Sequence, residues 1–164
     1  MFRRIRLRLQ DMKTISKLIE GADKHANFAG DEKAGAEHYV LSALDLPDRS
    51  AARIFNALGI NSEQYSQSLE RQYTDALDSV GISIENSEPE PIAEQSKLVH
   101  VQHSGAELMK SLHSLKKTDK DRALLGAHVL SVVAKMNNGV AIRAFRTLGI
   151  DSSKLHSAVN HELG

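Results

Sequence analysis

The chain reads as an all-α protein of eight helices, built as two four-helix repeats. Three observations predict this. Apolar residues recur at three- and four-residue spacing in the long segments. Only three prolines interrupt 164 residues. The sequence also matches itself when slid by 90 places, laying Gly35–Glu70 over Leu125–Asn160 without a gap. Eight pairs are then identical: His38/His128, Ala51/Ala141, Arg53/Arg143, Phe55/Phe145, Leu58/Leu148, Gly59/Gly149, Ile60/Ile150 and Ser62/Ser152. Seven of them fall within twelve residues, too dense for chance.

Each element follows in order. Met12, Ile15, Leu18, Ile19 and Ala22 stripe a first helix. Ahead of it Arg3, Arg4, Arg6 and Arg8 alternate with Phe2, Ile5, Leu7 and Leu9, a period of two that fits an extended arm or a fraying helix end. Tyr39–Leu44 is apolar nearly all round, as a central buried helix is. Ala51, Ile54, Phe55 and Leu58 mark a third helix that stops at Leu58-Gly59-Ile60. Glycine enters the left-handed conformation cheaply, and the residue after it packs back, here Ile60 on Phe55. Asn61-Ser62 supplies a side-chain oxygen to cap the fourth helix, worth about 1 kcal/mol. Tyr65, Leu69, Tyr73, Leu77 and Val80 carry that helix toward Gly81.

Between the repeats, Ser83–Ile92 holds two prolines and three Glu with no Lys or Arg, so 81–95 reads as a solvated acidic linker. Repeat one is then 1–80 and repeat two 96–164, within a single domain. Repeat two opens on Leu98, Val101, Leu108, Met109 and Leu112. Val129–Ala134 taken alone is as good a strand as a helix, and the repeat register makes it a helix. Ala141, Ala144, Phe145 and Leu148 end in Gly149-Ile150, with Ile150 expected on Phe145 and Asp151-Ser152 capping the last helix. The two halves should dock around Phe55 and Phe145.

Composition excludes several classes. Without cysteine there are no disulfides and no thiolate chemistry. Lys plus Arg (21) equals Asp plus Glu (21), so no global field draws the chain to nucleic acid or acidic lipid. With three Tyr, four Phe and no Trp, a base-stacking platform is not expected. No apolar stretch approaches the roughly 18 residues of a membrane span. Nor does the basic amino terminus have the apolar segment of a secretory signal, so a cytoplasmic location is expected.

Candidate chemistry is sparse. His100/His103 and His156/His161 lack a carboxylate at ligand spacing and read as surface or capping histidines, so no metal is expected. His38 and His128 each open a buried helix, where a structural hydrogen bond is expected. Glu37 lies in a first helical turn, where it suits the helix dipole or a ligand. Lys116, Lys117, Lys120 and Arg122, diluted by Asp119 and Asp121, read as solvated surface. No Gly-x-Ser-x-Gly, paired-carboxylate or Gly-x-x-x-x-Gly-Lys-Ser/Thr motif occurs, so no enzymatic activity and no cofactor is expected.

Taken in order, Met1-Phe2-Arg3-Arg4-Ile5, the box Gly35-Ala36-Glu37-His38-Tyr39-Val40-Leu41 and the helix end Ala52–Ile60 resemble the Clp amino-terminal domain. That family's usual forms are Met-Phe-x-x-Phe, Gly-Thr-Glu-His-Leu-Leu and Ala-x-x-x-Leu-x-x-Leu-Gly, given twice. The resemblance implies an eight-helix pseudo-twofold domain that stands before an ATP-driven unfoldase and recognises adaptors, substrate segments or small peptides, in some members phosphoarginine. It implies partner contacts at Phe2, Arg3, Arg4, Arg6, Glu37 and Lys97, with Phe55, Gly59, Ile60, Phe145, Gly149 and Ile150 structural. Two departures matter. The second box has Gly126 and Ala127 where the family has Thr and Glu, and Arg6 stands where the family often has Thr. At most one phosphoarginine pocket is therefore implied. Lacking an ATPase motif, the chain would act as a free-standing regulator or decoy within the Clp system. The alternative reading is a small helical nucleic-acid-binding regulator using the arginine-rich start.

Overall fold

The apolar periodicity resolves into eight α-helices, with no strand among the described residues. These are α1 (Phe2–Phe28), α2 (Ala36–Leu44), α3 (Ser50–Ala57), α4 (Ser62–Ser79), α5 (Pro91–Thr118), α6 (Gly126–Ala134), α7 (Val140–Thr147) and α8 (Ser152–Leu163). The computed structural model describes residues 1–79, 81 and 91–164, with side chains in that last segment from 104 onward. The arginine-rich start is helix from Phe2 on, so the two-residue alternation is not an extended arm. Valine-rich Val129–Ala134 lies within α6 and is buried throughout. α5 opens on Pro91, where a missing N–H is harmless at a first helical position, and so begins inside the stretch read as a linker. Val80 and residues 82–90 lie outside the described residues.

Both Leu-Gly-Ile segments stop their helices as expected. Gly59 and Gly149 adopt φ of 71° and 79°. Gly59 N–H donates to Asn56 O and Ile60 N–H to Phe55 O, at 3.1 and 3.0 Å; Gly149 and Ile150 repeat the pair onto Arg146 and Phe145 at 3.0 and 2.9 Å. These bonds satisfy carbonyls that a helix end leaves bare. The caps follow at once. Asn61 Oδ1 accepts from Gln64 N–H at 2.8 Å, and Asp151 Oδ1 from Lys154 N–H at 2.8 Å.

Packing is crossed between the halves. α1 lies on α2 and α5 on α6, while α2 and α6 meet at the centre. α4 packs chiefly on α7 of the other half while still touching α2, and α8 packs on α3 as well as on α6. The crossing is pinned by α4 side chains donating to α7 carbonyls: Tyr65 O–H to Ala141 at 3.1 Å and Ser68 O–H to Ala144 at 3.0 Å. Gln72 Nε2 adds a bond to Val140 at 3.2 Å. On the reciprocal face Glu162 of α8 pairs with Arg53 of α3 at 2.6 Å. Phe55, Tyr65 and Phe145 meet where the halves join. The two Phe rings pack edge-on at 5.7 Å, and Tyr65 sits 4.8 Å from Phe145. All three are buried, and together they anchor one continuous core. Among the described residues no helix is long and apolar enough to cross a membrane.

Candidate functional site

The starts of α2 and α6 occupy equivalent places in the repeat, yet the protein treats them differently. A helix start presents N–H groups with no partner inside the helix, and here lies the chemistry. At α6 the molecule fills them itself. Gly126 N–H donates to Asp48 Oδ2 at 2.9 Å and Ala127 N–H to Ser50 Oγ at 2.8 Å, both from the α2–α3 connection. Leu125 N–H donates to His128 Nδ1 at 2.9 Å. Leu124 N–H donates to Asp11 Oδ1 of α1 at 2.7 Å, and that carboxylate also pairs with Lys116 at 3.0 Å. Gly126 is required here: a Cβ would lie 2.9 Å from Ala43 O. This start is closed.

At α2 the corresponding positions are Asn138 and Val140, and valine has no oxygen to offer. Gly35 N–H still donates to His38 Nδ1 at 2.9 Å, and Ala36 N–H donates to Ser104 Oγ of α5 at 3.1 Å. Gly105 lets α5 come this close, because a Cβ there would collide with Ala34 O. Beside these contacts opens a cleft of about 260 Å³, lined among others by Ala36, Ser104, Glu107, Asn137, Asn138 and Gly139. Its volume falls below the roughly 300–1,000 Å³ of drug-sized pockets, a scale that suits one side chain. A hydroxyl, two amides and a carboxylate line it beside the positive end of a helix.

Below the cleft Glu37 is buried, 1% exposed. Its Oε1 accepts the Tyr73 hydroxyl at 3.3 Å, and its carboxylate folds over Gly35, where a Cβ would lie 2.7 Å away. Burial first, and then the Glu37 charge, push the Tyr73 phenol far above its ordinary range, so it stays a donor. His38 Nε2 faces Asp31 at 3.3 Å, also buried. Glu37 is thus held inward as part of the packing under the helix start.

The other sequence-predicted residues are placed elsewhere. Phe2, Arg3, Arg4 and Arg6 lie on the exposed first turns of α1. Asp11 ties that part of α1 to the start of α6, and Arg6 is five residues, about 7.5 Å of helix, further out. Glu37 sits instead at the start of α2, against Tyr73 of α4, away from the arginine cluster. Lys97 lies on α5, with its side chain outside the described residues, as are those of His100 and His103. Among the described residues no three His, Asp or Glu side chains converge as metal ligands would. Sequence reasoning missed Ser104, Glu107, Asp48 and Ser50. The signal was there: in the repeat register Asp48-x-Ser50 faces Asn138-x-Val140, a loss of the carboxylate and of the hydroxyl acceptor.

No family model matches this chain. Over 97 residues, 56% of its length, the chain is 34% identical to a ClpA homolog protein of Fuscovulum blasticum. The likeness is to a Clp protein. It takes in 12% of that relative, so the chain spans a small part of its length.

Proposed function

We propose that this chain is a non-enzymatic recognition module of the Clp protease system, its eight helices being two pseudo-twofold repeats of the Clp amino-terminal kind. It binds a protein adaptor, an unfolding substrate or a small peptide in the cytoplasm. The observation that carries this reading is the cleft beside the start of α2, where Ser104 of α5 takes the Ala36 N–H while the equivalent start of α6 is filled by Asp48 and Ser50. The similarity to a ClpA homolog supports the Clp assignment. Peptide recognition fits what lines the cleft: hydrogen-bonding groups of both kinds and room for one side chain. A phosphoarginine side chain is the ligand to try first, its phosphate toward the helix start and its guanidinium toward Glu107.

Amide NMR of the intact chain, titrated with phosphoarginine and with an arginine peptide, tests this. Binding should shift Ala36, Ser104, Asn138 and Gly139 and leave Gly126 and Ala127 in place. The pair Asn138→Asp, Val140→Ser supplies the acceptors that close the α6 start and should abolish the shifts. Shifts centred on α6, or binding unchanged in the double variant, would refute the assignment of this cleft.

A further inference from the structure

α1 carries a second surface that this reading leaves unused. Phe2, Ile5, Leu9 and Met12 are 89%, 51%, 56% and 66% exposed, in a chain whose other large apolar side chains are mostly buried. Their spacing is three, four, three, and Ile19, 39% exposed, falls on the same repeat one heptad past Met12. That is the a/d spacing of a coiled-coil seam, narrower than the apolar face of a helix packed on a core. Over Phe2–Met12 both flanks are basic, while Ser16 and Glu20 stand at the a and e positions beside Ile19. Arg6 and Lys13 follow the seam on one side and Arg8 precedes Leu9 on the other, at the e and g positions that select a coiled-coil partner. None of these three cations has an ion-pair partner among the described residues.

We infer that the exposed seam of α1 docks an amphipathic helix of another protein, one with apolar a/d residues and acidic flanks. Charge decides the occupant. A second copy of α1 would set Arg8 against Lys13 in a parallel pair, or like against like in an antiparallel one, and either arrangement repels. The shape of the site favours a helix over a bilayer surface. Toward its carboxyl end the seam borders Ile15, half-buried, and Ala22, buried, so the core packs against one side of it and a rod fits there better than a plane. The anchor is firm: Asp11, on the opposite side of α1, is held by Leu124 N–H and Lys116. This inference does not depend on the cleft at α2.

The test uses the intact chain and two three-heptad peptides with leucine at a and d, one carrying Glu at e and g and the other Lys. Fluorescence anisotropy should show the Glu peptide binding at least about tenfold more tightly than the Lys peptide, with the difference shrinking in high salt. Leu9→Asp, at an exposed position, should abolish binding while its circular dichroism stays that of the wild type. Ile5→Asp serves as a second variant should Leu9→Asp lose helix. Equal binding of the two peptides, no binding of either, or full binding by both variants would overturn the inference. So would association with phosphatidylglycerol vesicles in the absence of peptide binding, or a dimer in sedimentation that Leu9→Asp dissolves.

Discussion

At the start of α6 the imidazole of His128 accepts the Leu125 N–H through Nδ1, a role that only a ring nitrogen without a proton can fill. Burial, ahead of the charges around it, holds this group below its ordinary value of 6.5. The sign of the linkage follows. As pH falls below 6.5 the unfolded chain takes up the proton first, so the stabilisation is complete above that value and declines in acid. The urea midpoint should therefore drop between about pH 7.5 and 5.5, and drop less in His128→Gln. An equal drop in both proteins would assign the acid sensitivity to another group. That His38 and His128 serve helix starts was legible from their place in the repeat. The partners of those starts were not. Ser104, Asp48 and Ser50 are polar residues without periodicity, brought in from 68 to 78 residues away, and nothing local marks them.

At the scale of the element, the sequence was legible wherever the chain must turn in few residues. Leu-Gly-Ile followed by Asn-Ser or Asp-Ser names a stop, a clasp and a cap, and each appears where the spacing predicts. The glycines can be weighed by substitution. Gly149→Ala forces a side chain into φ 79° and should cost about 1–2 kcal/mol in chemical denaturation, with Gly149→Asn milder because asparagine tolerates that region. Gly126→Ala meets a different obstacle, the Ala43 carbonyl at 2.9 Å, and asparagine should do no better there. If Asn rescues both sites alike, backbone conformation rather than close packing governs Gly126. Periodicity was less informative at the start of α1. The three-and-four spacing of Phe2, Ile5, Leu9 and Met12 was there to be read, but the arginines interleaved with Phe2, Ile5, Leu7 and Leu9 gave a two-residue alternation as well.

Across the whole molecule the crossed packing of α4 on α7 and α8 on α3 was not legible. The stripes on these helices say that a face is buried without saying against what. The meeting of Phe55 and Phe145 was foreseen, because the sequence matches itself around both and each lies on an apolar helical stripe. The crossing predicts that neither half stands alone. Fragments 1–80 and 91–164, made separately, should lack cooperative unfolding, and mixing them should restore it in a concentration-dependent manner. A fragment 1–80 that melts sharply by itself would contradict this.

The same crossing gives the covalent connection between α4 and α5 a thermodynamic task. Two separate four-helix chains would have to find each other and trade contacts through their last helices, and dilution would pull them apart. Joined in one polypeptide, each half meets the other at an effective concentration near the millimolar range. The trade then persists at any abundance of the protein, and the cleft at α2, whose far wall comes from the other half, exists whenever the chain is folded.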